Sequence, residues 1–213
     1  MLAAEIDHIF ILTSRGAPAA DALVKFGLTE GPPNVHPGQG TACRRFFFEN
    51  AMLELLWIEN AAEAQSAQSR PTRLWDRWAQ AGRGASPFGI ILRPGASGEL
   101  ACPFDGWDYR PPTMPGLELQ IADTGLNEPM WCYVEKFRRS VQPGEHRAGL
   151  RKLTLARIAG PQLPANSVTT AMASLGAIGA AAGGEHLLEL QFDHGVKRSR
   201  QDFRPGLPLL FHW

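Results

Sequence analysis

A chain of 213 residues, 44% hydrophobic and 20% charged, is long enough to bury one large core or two small ones and too apolar to remain disordered. Its 21 basic and 21 acidic side chains balance to zero, which removes the general attraction to nucleic acid or anionic lipid that a basic chain carries. No run approaches the roughly 20 apolar residues of a spanning helix, and Cys43, Cys102 and Cys132 have neither zinc-finger nor disulfide-framework spacing. The expectation is a reduced, cytoplasmic, globular protein with no nucleic-acid or membrane partner.

In chain order, Ile6 to Leu12 alternates like a strand, which sets His8 on one face with Ile6, Phe10 and Leu12. A short helix follows from Pro18 to Phe26, closed by Gly27. The Gly- and Pro-rich stretch from Gly31 to Gly40 reads as a loop with room for one more short strand. Cys43 to Phe48 and Met52 to Ile58 read as strands, so the first unit is β-α-β-β. Ala61 to Arg83 reads as a helix with Leu74, Trp75 and Trp78 along its apolar stripe, and Phe88 to Leu92 as a strand. The Pro-rich middle, Pro103 to Pro115, reads as loop, with Trp107 to Arg110 as a rigid segment of it. Strands are expected at Leu117 to Ile121, Pro129 to Val134, Leu150 to Ile158, His186 to Phe192 and Leu207 to Trp213, with an Ala-rich helix from about Asn166 to Ala177. Lys197, Arg198, Arg200 and Arg204, flanked by Asp193 and Asp202, read as a solvated loop.

Two polar groups stand on otherwise apolar strand faces: His8 on the first strand, and Glu54 beside Met52, Leu56 and Ile58. A buried carboxylate needs a cation, a donor or a wet cavity. A neutral imidazole facing that carboxylate makes a suitable pair of ligands for a divalent zinc, iron, manganese or nickel ion. The run at 6–11 with its later Met-Leu-Glu-Leu-Leu (52–56) is echoed by the run at 150–155 with its later Leu-Leu-Glu-Leu-Gln (187–191), which places Lys152 opposite His8 and Glu189 opposite Glu54.

The opening strand with His8, the loop at His36, Pro37 and Gly38, and the strand around Glu54 resemble the first module of glyoxalase-like proteins of the vicinal-oxygen-chelate superfamily. The likeness extends through Glu128 to Trp131, Glu145-His146 and Asp202 to Pro205. It implies an α+β fold of repeated βαβββ modules forming a curved, barrel-like mixed sheet, and it implies that His8 and Glu54 hold the ligand positions of the first module. On this reading one domain covers the chain, with a first module at about 5–60, a variable middle at about 61–145 and a last module at about 146–213. A second boundary, with 88–134 as the second module, puts Phe88 or Gly89 at the His position and leaves that half without a His ligand.

The resemblance implies a metal-dependent enzyme acting on a small oxygen-bearing substrate, of isomerase, lyase or dioxygenase type. The other reading is a non-catalytic module that sequesters a small molecule. Either His8, Glu54 and Glu189 hold the ion, with Glu189 also an acid or base, or Lys152 takes the place of the metal charge beside the carboxylates. Arg110, Trp131 and Lys152 are the candidate substrate contacts. Analogy with the class also implies a homodimer. No phosphate-cradling loop, nucleophile elbow or zinc-protease helix is present in the sequence.

Overall fold

The computed structural model describes residues 4–95, 102–114, 116–135, 143–161, 163 and 167–213. Two mixed sheets, neither closed into a barrel, carry the fold. The first begins with β1 (Ala4–Leu12), helix α1 (Ala20–Phe26), β2 (Asn34–His36), β3 (Thr41–Phe47) and β4 (Met52–Ile58). The short strand expected inside the Gly- and Pro-rich loop is therefore β2. Gly27 ends α1 in the left-handed region (φ 115°), and its N–H bonds back to the carbonyls of Leu23 and Val24.

The segment expected as one helix from 61 to 83 is broken into α2 (Ala61–Ala64), a 3-10 turn at Arg70–Thr72 and α3 (Leu74–Ala79). Pro71 removes a helical donor, and Arg73 sits at φ 57°, which no continuous helix accommodates. The first sheet resumes with β5 (Phe88–Pro94), β6 (Gly106–Tyr109), β7 (Leu119–Ala122) and β8 (Met130–Val134). The Trp107 segment, expected as a loop, is the edge strand β6 paired with β7.

The eight strands order as β2-β3-β4-β1-β5-β8-β7-β6. This order has an internal symmetry. β1 pairs in parallel with β4, β5 pairs in parallel with β8, and the two halves meet in the antiparallel β1·β5 pair. The counterpart of β1–β4 within the sheet is thus β5–β8, the arrangement that the 88–134 boundary describes.

The second sheet comprises β9 (Leu153–Gly160), β10 (Ile178–Ala182), β11 (Leu187–Phe192), β12 (Arg200–Asp202) and β13 (Leu209–His212), in the order β10-β9-β11-β13-β12. Helix α4 (Val168–Met172) and a 3-10 turn at Ala173–Leu175 precede β10, and the expected helix start at Asn166 lies outside the described residues. β10 and β12 were not expected from the sequence. After Ile178, β10 is all Gly and Ala, so a single branched residue is left to signal a strand. β9 and β11 pair antiparallel, whereas β1 and β4 pair parallel, so matching 150–155 and 187–191 to 6–11 and 52–56 does not describe equivalent positions.

One apolar core lies between the sheets. Ile9, Ile11, Leu53, Leu55, Ile90 and Trp131 of the first meet Ile158, Leu188, Leu190, Phe192 and Phe211 of the second. Phe48 stacks on Phe192 with ring centres 4.6 Å apart, and Phe26 meets Phe203, Phe211 and Trp213 edge-on. Polar clasps fix the junction. The Asn50 amide donates to the Leu153 carbonyl (2.8 Å) and accepts from the Leu153 N–H (2.9 Å), as a strand neighbour would. His146 accepts the Thr29 N–H at Nδ1 (3.0 Å) and donates from Nε2 to the Phe47 carbonyl (3.1 Å). Among the described residues no helix is long and apolar enough to cross a membrane.

A bulge in β1 decides which side chains face where. The register with β5 slips between Ile6 and His8, so that Asp7 is the extra residue. Ile6 consequently joins Ile9 and Ile11 in the core, while His8 and Phe10 face the other way. The expected common face of Ile6 and His8 is not found, because plain alternation does not survive a bulge. Asp7 is fully buried, and its carboxylate is met by Arg93 Nη1 at 3.2 Å. The same guanidinium reaches Glu5 and the Asn50 carbonyl, each at 3.2 Å.

Arg93→Ala is expected to destabilise the fold by about 2–4 kcal/mol, because it strips a partner from a buried carboxylate; urea unfolding of both proteins measures the loss. Burial also holds the His146 pKa below its usual value, against the smaller opposing effect of the Phe47 carbonyl. A histidine with a lowered folded pKa takes its proton first in the unfolded chain. Its stabilising contribution is therefore complete above about pH 6.5 and declines as pH falls below that value. His36 and His186 are shifted the same way by burial. The melting temperature should drop from about pH 7 to about pH 5. His146→Gln should melt lower at neutral pH with a shallower dependence on acid, and an unchanged slope would place the acid sensitivity elsewhere.

Candidate functional site

The face of the first sheet turned away from the core holds a cavity of about 420 Å3. β1 contributes His8 and Phe10, β4 contributes Met52, Glu54 and Leu56, the edge strand β2 contributes Asn34 and His36, and β3 beside it contributes Arg45. The other half is lined by Ile91 of β5, Leu119 and Ile121 of β7, and Met130, Cys132 and Val134 of β8. Thr72 and Leu74 approach from the broken helical segment, and Tyr109, Pro111 and Met114 from the opposite edge. The donors and charges therefore gather on β1–β4, and the β5–β8 wall is apolar.

Each polar group is held by its neighbours. His8 Nδ1 lies 2.8 Å from Asp7 Oδ1, an approach that the bulge makes possible for adjacent residues. With Nδ1–H given to the carboxylate, the imidazole has its lone pair on Nε2. Glu54 is only 7% exposed and lies opposite Arg45 in the β3·β4 register. His36 is fixed from both sides, with Nδ1 2.9 Å from Thr41 Oγ1 and Nε2 2.8 Å from the Asn34 amide. Burial holds its pKa below the usual value, partly offset by the Glu54 carboxylate. The neutral ring is the form the site keeps.

The two thiols on this face are poor nucleophiles. Burial pushes Cys132 up to about 12, and burial together with the Glu54 charge pushes Cys43 higher still. Neither carries thiolate at neutral pH. Gly89 has a spatial role, since a Cβ there would stand 2.1 Å from the Phe10 ring. Phe10 thus fills the place where a side chain at Gly89 would point, and β5 presents Ile91 to the cavity instead.

Of the residues singled out from sequence, the structure brings His8 and Glu54 into this cavity. It does not bring the others. Glu189 is on β11 in the second sheet and lines a separate cavity. Trp131 is fully buried on the core face of β8, with its indole N–H on Thr169 Oγ1 at 3.0 Å. Lys152 is exposed just before β9, and its backbone N–H bonds Asp193. Arg110 stands on the surface beyond β6, paired with Glu118 at 3.2 Å, while its neighbours Tyr109 and Pro111 line the cavity. His36, Asn34 and Arg45 belong to the site without having been assigned to it. Asn34 and His36 lay in a three-residue strand inside a loop, and Arg45 stood on β3, a strand that was expected but whose pairing was not.

The donor set bears on a metal. Among the described residues no group of three or more His, Cys, Asp or Glu side chains is placed to hold an ion. His8 and Glu54 are two donors, and both nitrogens of His36 are already engaged. A catalytic metal commonly takes three protein ligands, so the described residues do not complete such a centre.

Among solved structures, a hypothetical protein from Staphylococcus aureus is similar at 12% identity and a TM-score of 0.51, over 98% of this chain and 99% of its own. A hypothetical protein from Bacillus halodurans C-125 is similar at 12% identity and a TM-score of 0.40, over 65% of this chain and 99% of its own. No curated protein matches. The Staphylococcus aureus likeness bears on the fold alone. The model of a glyoxalase-like domain family matches residues 6–129, from β1 through β7 and across more than half of the chain. With its paired parallel strands meeting at β1·β5, the chain belongs to that glyoxalase-like family of the vicinal-oxygen-chelate superfamily.

Proposed function

We propose that the chain is an enzyme acting on a small organic molecule that has one oxygen-bearing end and one apolar end. The observation that carries this reading is the division of the cavity, with His8, His36, Glu54 and Arg45 on one wall and Ile91, Leu119, Ile121 and Met130 on the other. A cavity of about 420 Å3 suits a metabolite of modest size. The apolar wall binds the hydrocarbon part and excludes water, which fixes the oxygen-bearing end against the polar wall.

The chemistry at that end is proton transfer. His8 Nε2 is the base, and the Asp7 carboxylate at Nδ1 orients the ring and stabilises the imidazolium that forms. Arg93 pairs with the other oxygen of the Asp7 carboxylate and so holds it in place beside the ring. Glu54 faces the same space and exchanges the second proton that an isomerase or lyase step requires. Arg45 and the Asn34 amide face the developing negative charge on oxygen.

Turnover of a panel of small amphiphilic carbonyl and hydroxy compounds, followed by NMR, tests the reading. His8→Ala and Glu54→Gln should each lower kcat about 100-fold or more. Met114→Glu, at the exposed apolar rim, should raise KM with little change in kcat. Binding without turnover across the panel would replace the enzyme with a sequestering module. One equivalent of zinc, iron, manganese or nickel retained after reconstitution and lost in His8→Ala would replace proton transfer with metal-assisted chemistry.

A further inference from the structure

The second sheet repeats the pairing plan of the first at smaller size. β9 pairs in parallel with β10, β11 pairs in parallel with β13, and the two pairs meet in the antiparallel β9·β11 contact. This matches the β4-β1-β5-β8 centre of the first sheet strand for strand. Each sheet gives one face to the shared core. Each also carries a cavity on its opposite face, over its central antiparallel pair; the one on the second sheet measures about 330 Å3.

The chemistry of this second cavity differs. Arg157 of β9, Arg200 of β12 and Arg198 of the preceding turn line it, so three guanidinium groups stand against the single carboxylate of Glu189. The strand register sets them in rows. Arg157 is opposite Glu189, and His212 of β13 lies between Gln191 and Arg200. Glu189 Oε2 is 3.6 Å from Arg157 and 3.4 Å from His212 Nε2. His212 Nε2 is closed to solvent and has no hydrogen-bond partner among the described residues. Asp202, two residues on from Arg200 along β12, is committed to Arg204 at 2.6 Å. Neither Arg198 nor Arg200 has an ion-pair partner among the described residues.

We propose that this cavity is a second ligand site, separate from the one around His8, and that it takes a small organic anion through a carboxylate or phosphate group. Converging guanidinium groups match the planar, bidentate geometry of an oxyanion. Gln191 and Ser199 supply neutral hydrogen-bonding groups, and the Trp213 indole supplies an apolar wall for the organic part. Glu189 excludes the weakest anions, because a ligand has to draw Arg157 away from it. The site stands apart from any chemistry at His8, since the two cavities lie on outward faces with the whole core between them.

Calorimetric titration of the full chain with inorganic phosphate and, separately, with benzoate tests the site and tells the two anion types apart. One or both should bind. The double substitution R198A/R200A, at exposed positions, should weaken binding about tenfold or more while leaving the ligand-free melting temperature unchanged. Glu189→Gln should strengthen binding, and His8→Ala should leave it unaltered. Tighter phosphate binding would mark a phosphorylated ligand, and tighter benzoate binding a carboxylated aromatic one. Absence of binding by both probes would overturn the proposal. So would affinity that survives R198A/R200A, or affinity that is lost in His8→Ala.

Discussion

The buried carboxylate of Asp7 is the constraint on which the site and the fold jointly depend. The bulge in β1 that creates it also turns His8 away from the core. A carboxylate without solvent must be met by charge or by donors, and here it is met by Arg93 from β5 and by the His8 ring. Arg93 further holds the Asn50 carbonyl, and the Asn50 amide clasps Leu153 at the start of the second sheet. One chain of polar contacts thus runs from the imidazole in the cavity to the sheet on the other side of the core. Through Arg93, the orientation of His8 is thus linked to one of the clasps that hold the second sheet.

The shared core explains how two outward faces became free for ligands. Each sheet has one face of branched and aromatic side chains, and these faces meet. The remaining faces need not be apolar. The first is partly covered by the broken helical segment, where the buried Arg77 binds the carbonyls of Leu126, Gly125 and Glu128 and so holds the β7–β8 turn. Burial lowers the Arg77 pKa to about 10, yet the group remains charged at neutral pH. Among the described residues the second sheet has no such cover over its arginines, which fits a site open to small solutes in solution.

The strands of the first unit were legible because their apolar and polar residues alternate, and Glu54 was legible because a carboxylate interrupts the apolar run Met52–Ile58. His8 was found for the same reason, although its neighbours were misplaced. A bulge inserts one residue without changing composition, and nothing in Ile-Asp-His-Ile announces it. β6 hid among prolines, and β10 after Ile178 is made of residues too small to signal a strand. Glu189 and Lys152 were read through a repeat that matched strand sequences but not pairing directions. Periodicity reports which residues share a face within one strand, and it is silent on which strands become neighbours. The same limit applied to Trp131, whose strand was expected but whose side faces the core.

The symmetry of the first sheet sharpens what its asymmetry means. Two halves related by one pairing plan would build matching walls if their sequences matched. Across the β1·β5 pair, however, His8 faces Ile91, and the place opposite Phe10 is Gly89. On β8 the positions turned to the cavity are Met130, Cys132 and Val134, where β4 has Met52, Glu54 and Leu56. Every charged side chain that lines the cavity therefore comes from the first half. A ligand with two equivalent polar ends would leave one of them desolvated and unpaired against Ile91 and Met130, a cost of the order of 1–3 kcal/mol or more. A ligand with unlike ends avoids that cost in one orientation only. The cavity thereby selects both the polarity of its occupant and the direction in which it enters, before any residue acts on it.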